Sequence, residues 1–313
     1  MNLILLAGGK GERLWPISTA DFPKQFLKVH SSHSFFQKTV LRCSKLFDKI
    51  SILSQEKYFF SLLDQLKEIS AHASLVLEPF GKGTLPILTL TLLSLKSDEF
   101  FFMTPTDLEI EPKEKFQEFL IKLINNAKKE SVYLIGKKPT HAHTGYGYIL
   151  KESSSIKFIE KPTAEVAEKL VMQKDVLWNC GMIFANVKTF LSLIKQHQPA
   201  LFESCEKLIK NSSCMQLFHP VMRFNPETFL QLPSWSIDHG ILEKAQNLIP
   251  VAANFDWKDC GTFANLIDDT KENLKLLNSS NIRTQGIKKQ LIVQNMQDVA
   301  IIENEKQIFI IKK

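Results

Sequence analysis

The sequence contains no run approaching the roughly 18 consecutive apolar residues that a membrane-spanning helix needs, so none is expected. Its apolar opening, Met1 to Ala7, lacks a basic flank and breaks at Gly8, which suits a buried first strand better than a leader peptide. Cysteine is sparse: Cys43, Cys180, Cys205, Cys214 and Cys260 are odd in number, widely spaced and form no CxxC pair. That excludes a disulfide framework and a thiolate zinc site, and a reducing, cytoplasmic setting is expected. Internal repeats and low-complexity linkers are missing too. Charge of one sign is also lacking: 39 basic residues against 33 acidic leave a net +6, with no dense basic stripe. Nucleic acid is therefore not an expected partner, whereas anionic small molecules suit the mild positive excess.

What the chain does contain is material for a sizeable core, with 44% of its 313 residues apolar and 23% charged. Short apolar runs alternate with longer amphipathic ones. Residues 2–7, 50–54, 75–78, 100–104 and 132–135 read as strands, and 35–46, 58–69, 84–95 and 113–129 as helices. This alternation predicts an α/β fold, a Rossmann-like mixed, mostly parallel sheet flanked by helices. Ligands of such sheets bind beyond the carboxyl ends of the strands, so the loops after residues 6, 78 and 104 are expected to share one crevice. Further on, 144–149, 156–159, 182–185 and 251–254 read as extended, and 164–173, 187–195 and 236–245 as helical. Residues 290–293, 299–302 and 307–311 read as three strands with no helix between them. The expected division is a main α/β domain over 1–277 and a small β-rich C-terminal segment over 278–313.

The richest local pattern is LAGGKGERLWP (6–16) followed by PKQF (23–26). Leu6 and Ala7 close the first strand, and Gly8, Gly9 and Gly11 follow at once. Glycines permit close backbone approach, so successive N–H groups can cradle phosphate oxygens. Arg13 and Lys24 add fixed positive charge. The spacing is neither GxGxxG nor the P-loop GxxxxGK[ST], and glycines after a strand alone serve as plain turns about as often. Their combination with Arg13, Leu14, Pro16 and PKQF is far more specific.

That combination resembles the signature of the sugar-phosphate nucleotidyltransferases, and most of all that of the mannose-1-phosphate guanylyltransferases, GGxGxRLWPxSR followed by PKQF. Thr19 stands where that pattern has arginine. EPFGKGTLP (78–86) is similar to the family's EPxGRNTAP, with Gly83 for asparagine and Leu85 for alanine. The resemblance places Glu78, Pro79, Gly83 and Thr84 near the base and ribose. TPTDL (104–108) resembles PSDH or PADH, and FDWKDCGTF (255–263) resembles FxWxDVGSW. These imply Thr106 at the nucleotide and Asp107 and Asp259 as magnesium ligands, while Asp256 reads as a surface residue. TGYGYI (144–149) is similar to the same string in the family, FIEKP (158–162) to FxEKP and WNCG (178–181) to WNSG. They imply a sugar-phosphate site of Gly145, Gly147, Glu160 and Asn179, with Lys161 as a point charge on the phosphate. SIDHGILEKA (236–245) is similar to SIDYAVMEK and is assigned mainly to packing beside the site. His141 and His143 read as loop residues.

The matches follow family order from residue 3 to about residue 266, and the fold they imply is the nucleotide-diphospho-sugar transferase type. The residues after Leu266 are too few for the isomerase domain that bifunctional members add. The implied reaction joins GTP to mannose-1-phosphate with Mg2+, giving GDP-mannose and pyrophosphate. Arg13, Lys24 and Lys161 are the expected catalytic charges. No general base is required, because a phosphate monoester with a second pKa of about 6 is already ionised near neutral pH. The alternatives are another sugar-1-phosphate or another triphosphate, or a catalytically silent regulatory homologue. A homodimer is also an open expectation, with the C-terminal segment either packing on the main domain or mediating the subunit contact.

Overall fold

This computed structural model describes residues 1–9, 14, 18–28, 31–152, 155–210, 212–215, 218–246 and 248–260 and, towards the C-terminus, 274–277, 283–285, 291–294, 296–303 and 308–312. The chain alternates β1 (Asn2–Leu6), α1 (Phe35–Cys43), β2 (Lys49–Gln55), α2 (Phe59–Glu68), β3 (Ser74–Glu78), α3 (Thr84–Leu93) and β4 (Phe100–Pro105). There follow β5 (Leu108–Glu111), α4 (Lys113–Asn126), β6 (Val132–Lys137), β7 (Tyr148–Lys151), β8 (Ile156–Ile159), α5 (Ala164–Val171) and the long β9 (Val176–Asn186). Then come α6 (Val187–His197), α7 (Pro199–Lys210), β10 (Ser213–Met215), β11 (Val221–Arg223), α8 (Pro226–Leu230), β12 (Leu248–Ala252) and β13 (Asp256–Asp259).

The main sheet has the order β10-β11-β3-β2-β1-β4-β9-β6-β12, with β7 paired to β9 and β8 to β7. Strands β2 and β4 flank β1 in parallel, β3 continues from β2, and β9 runs antiparallel between β4 and β6. The sheet is thus mixed and mostly parallel, as the alternation predicts. Its connections reverse direction at β1, which opens a crevice beyond the carboxyl ends of β1, β2 and β4.

Each face of the sheet is covered. Ile4, Phe101 and Met103 pack with α3, α6 and α7 on one side, while Leu3, Leu5 and Phe102 pack with α1, α2 and α4 on the other. This division follows from the two-residue repeat of a strand. Helix α3 is apolar nearly all round (TLPILTLTLL), as a helix enclosed by its neighbours must be. Its two inner threonines stay satisfied by donating back along the helix, Thr89 to the Leu85 carbonyl at 2.7 Å and Thr91 to the Ile87 carbonyl at 2.8 Å.

Several elements differ from the sequence reading. Strand β9 is longer than 182–185 because its first half pairs with β7, while Thr144 to Gly147 form a turn before β7 rather than a strand. Helix α7 lies where the sequence analysis places no element, although Leu201, Phe202, Cys205 and Leu208 repeat at helical spacing and are all buried. The expected helix over 236–245 is a π-helical turn, Asp238–Leu242. The C-terminal region holds five strands among its described residues: β14 (Leu274–Leu277), β15 (Arg283–Gln285), β16 (Leu291–Gln294), β17 (Val299–Glu303) and β18 (Ile308–Lys312). Strand β14 pairs in parallel with β16, Leu274 facing Leu291, and β15 with β17, Arg283 facing Ala300. Both pairs share one sequence offset, the pattern of two successive turns of a coil of strands, with β18 folded back on β17.

Candidate active site

The crevice is a cleft of about 470 Å³ lined by Leu6, Gly8 and Gly9, by Glu78, Gly81, Gly83 and Thr84, and by Pro105, Thr106 and Asp107. The loops after residues 6, 78 and 104 therefore share one site, and Pro79 follows Glu78 at its edge, half-buried. Gly11 and Arg13 lie outside the described residues. A cavity of about 550 Å³ beside the start of α6 is larger, but it sits at the opposite end of the sheet and contains none of these groups.

The glycine turn is held by its carbonyls. Gln25 Nε2 donates to the Ala7 and Gly9 carbonyls at 2.9 and 3.2 Å, Ser54 Oγ to Ala7 at 2.8 Å, and Gln55 Nε2 to Gly8 at 3.2 Å. A trans peptide points its N–H opposite to its C=O. The amides of Gly8 and Gly9 are thereby turned away from these side chains, the orientation a phosphate cradle needs. Thr106 ties the neighbouring strand end to the loop through its hydroxyl, 2.9 Å from the Leu6 carbonyl. Sequence reasoning missed the roles of Gln25, Ser54 and Gln55; polar residues closing the apolar strand β2 were the available signal.

At the mouth of the cleft three predicted residues meet. Lys24 Nζ lies 3.0 Å from Asp107 Oδ2 and 3.1 Å from Asp259 Oδ1. Asp107 precedes β5 and Asp259 ends β13, and the antiparallel pairing of these strands sets Asp259 against Leu108, so one short ladder brings both carboxylates together. The Lys24 side chain is only 5% exposed. Burial alone would lower its pKa, but the charges of Asp107 and Asp259 and their hydrogen bonds outweigh this and raise it. Asp256, on the same strand, is exposed and 3.4 Å from Lys137, which agrees with its reading as a surface residue.

Glu78 is 5% exposed and accepts the Lys82 amide, yet its Oε2 has no hydrogen-bond partner among the described residues. Burial pushes its pKa up to about 8. Its loop is fixed by Gly83, at φ +85°, where an added Cβ would lie 2.3 Å from the Trp235 carbonyl oxygen. The family's asparagine cannot be accommodated here without moving that backbone. Gly83→Ala is expected to destabilise the protein by about 2 kcal/mol or more, read as a lowered Tm; an unchanged Tm would show that the loop yields freely. Thr19 forms a turn with Phe22, whose amide lies 3.1 Å from the Thr19 hydroxyl.

The residues that the resemblance assigns to the sugar phosphate form a second cluster. A Cβ at Gly147 would lie 2.7 Å from Glu160 Oε2, 2.8 Å from Phe158 Cζ and 3.4 Å from the Asn179 Cβ, so only glycine lets these side chains pack directly on the backbone here. Asn179 is fixed at three points: its amide donates to the Gly147 carbonyl at 2.7 Å, its Oδ1 accepts from Gly181 at 3.0 Å and its Nδ2 lies 3.3 Å from Asp238 Oδ1. Lys161 adopts φ +43°, unusual for a residue with a Cβ, and its Nζ rests 2.5 Å from Glu160 Oε1. Gly145 lies in the preceding turn, its amide 3.0 Å from His143 Nδ1. His143 stacks on Tyr146, and Tyr146 also meets Trp178 and Trp257 edge-on, so this loop packs beside the β13 ladder that carries Asp259. A Cβ at Gly181 would lie 3.1 Å from Pro105 Cγ, so this second cluster abuts the wall of the glycine-lined cleft.

The cleft thus lies at the switch point of the sheet, lined by glycines, with a lysine and two carboxylates at its mouth. Over residues 2–276 the sequence matches the nucleotidyl transferase family, and the chain belongs to that family. It is 29% identical over 302 residues to a mannose-1-phosphate guanylyltransferase of Escherichia coli, a match covering 91% of this chain and 64% of that protein. It is 28% identical over 333 residues to the alginate biosynthesis protein AlgA of Pseudomonas fluorescens, covering 99% of this chain and 68% of that protein. The chain thus spans about two thirds of the length of these relatives. Among solved structures, one described as a mannose-1-phosphate geranyltransferase from Thermus thermophilus has a TM-score of 0.81 at 24% identity, covering 99% of this chain and 94% of that chain. Another, described as mannose-6-phosphate isomerase from Helicobacter pylori, has a TM-score of 0.74 at 25% identity, covering 82% of this chain and 99% of that one. The former likeness carries the fold alone. Among the described residues no helix is long and apolar enough to cross a membrane.

Proposed function

We propose that this chain transfers a guanylyl group from GTP to mannose-1-phosphate. A phosphate oxygen of the sugar phosphate forms a bond to the α-phosphorus of GTP, the bond from the α-phosphorus to the bridging oxygen breaks, and pyrophosphate leaves with the electron pair. The convergence of Lys24, Asp107 and Asp259 at the mouth of the glycine-lined cleft carries this reading. Family membership and the guanylyltransferase relative support it.

The donor set fits a magnesium ion. Two carboxylate oxygens already converge on one cation, the Lys24 ammonium, and magnesium takes few carboxylates, filling its shell with water and phosphate oxygens. Asp107 and Asp259 would hold it, and it would neutralise the charge of the reacting phosphates. The remaining steps belong to the chain. The Gly8 and Gly9 amides cradle phosphate oxygens, and Lys24 and Arg13 offset the charge of the departing pyrophosphate. Lys161 leaves Glu160 for the sugar phosphate, which sets the nucleophile in line. Positioning and charge neutralisation supply the catalysis, since the nucleophile needs no deprotonation.

Glu78 supports guanine. An ionised carboxylate facing the cleft accepts two adjacent donors, which guanine offers at N1 and N2 and adenine does not. The test is pyrophosphate release with magnesium and a matrix of four nucleoside triphosphates against several sugar-1-phosphates. Release that is greatest with GTP and mannose-1-phosphate is expected; no release with any pair rejects the reading.

A further inference from the structure

Asp238 lies in the segment that the sequence reading assigned to packing, yet its carboxylate enters the sugar-side cluster. Its Oδ1 takes the second hydrogen bond of the Asn179 amide group. Burial, and then the charge of Glu160, push its pKa up to about 6, a sign that the two carboxylates sense each other. Two carboxylates and one carboxamide, those of Glu160, Asp238 and Asn179, form a poor site for a phosphate, which both acids repel. They form a good one for a neutral ring carrying hydroxyls, which donates hydrogen bonds to carboxylates.

The backbone holds Asp238 there. It opens the π-helical turn Asp238–Leu242, closed by the Glu243 amide on the Asp238 carbonyl at 3.0 Å. A Cβ at Gly240 would lie 2.6 Å from Leu85 Cδ2, so the turn is pressed against α3. The preceding strap is bonded to the loop beside Glu78: Trp235 N to the Lys82 carbonyl and Leu85 N to the Trp235 carbonyl, both 3.1 Å, and Ile237 N to Thr84 Oγ1 at 3.0 Å. A widened turn of this kind places one side chain where a regular helix would turn it elsewhere, and such turns are frequent at functional sites.

We propose that Asp238 is a specificity-determining residue of the sugar side, its carboxylate accepting a ring hydroxyl of the sugar-1-phosphate beside Glu160 while Asn179 fixes its orientation. The proposal rests on the nucleotidyl-transfer reading and goes beyond it in naming a residue that discriminates among sugars. In the full-length protein, Asp238→Asn is expected to raise KM for mannose-1-phosphate roughly 10- to 100-fold, to leave KM for GTP nearly unchanged and to narrow the preference over the C2 epimer glucose-1-phosphate or over one monodeoxy analogue. In the wild type, removal of the hydroxyl that Asp238 accepts is expected to cause a similar loss, and the variant should no longer feel that removal. If the wild type is active and Asp238→Asn changes neither the sugar KM nor the preference, or raises both KM values equally, the residue belongs to packing and the proposal falls while the reaction stands. Should the variant fail to fold, the deoxy series on the wild type decides: a series in which every analogue turns over like the parent overturns the proposal. An inactive wild type rejects the reaction instead, and calorimetry with mannose-1-phosphate then decides on Asp238, absence of binding overturning it.

Discussion

Lys24→Met is expected to lower turnover roughly 100- to 1000-fold while tightening the binding of magnesium to the nucleotide-free protein. These opposite effects follow from the position of the ammonium, 3.0 and 3.1 Å from the two carboxylates, on a side chain only 5% exposed. Lys24 is the resident counter-ion of Asp107 and Asp259. A divalent cation held by those carboxylates would take its place, and the freed ammonium would then be available to the phosphates. Methionine keeps the apolar stem but removes the charge, so the carboxylates face each other uncompensated and attract a divalent ion more strongly. The same change removes a positive group from the field in which pyrophosphate departs. Titration calorimetry with magnesium, with and without nucleotide, reads the first effect, and pyrophosphate release reads the second. Unchanged metal binding together with unchanged turnover would reject this shared cation position.

Glu78→Gln is expected to lower kcat/KM for GTP roughly 10- to 100-fold and to abolish a pH dependence that the parent should show. In the nucleotide-free protein, burial keeps this carboxyl protonated up to about pH 8. Guanine, with two adjacent donors, would select the ionised form, so that its binding would release a proton. The affinity for GTP therefore rises as pH climbs from about 6 to about 8 and then levels, whereas the glutamine variant shows no such slope. Stability without nucleotide moves the other way. The folded-state pKa lies above the ordinary 4.5, so the contribution of the neutral acid is full below that value and is lost as pH rises through about 8. Tm of the parent should fall as pH rises from about 5 to about 8 and then level off, and the variant, having nothing to ionise at this position, should fall less. A GTP affinity independent of pH in both proteins would show that Glu78 does not read the base.

Much of the fold could be read in the chain. A buried run such as LILL can only be an inner strand, and a helix such as TLPILTLTLL can only be enclosed. The limits of such reading lie where long-range pairing decides. The string VLWN is too short to read as a strand from its propensities; it is extended because β7 pairs with it. Of the five C-terminal strands, β14 and β15 could not be read because each is short and is held by a partner one coil away.

The family and the identities of the charged and glycine residues are legible in the chain, since the motifs are local strings whose chemistry needs those residue types in that order. Tertiary structure alone decided that Lys24, Asp107 and Asp259 share one point, because they come from three distant segments joined only when β13 pairs with β5. It also decided the place of Asp238: the sequence reads SIDHGILEKA as an ordinary packed helix, and only the π turn and the strap on α3 aim its carboxylate at Asn179. Local strings fix what each group can do, whereas which groups act together depends on backbone contacts far apart in the chain.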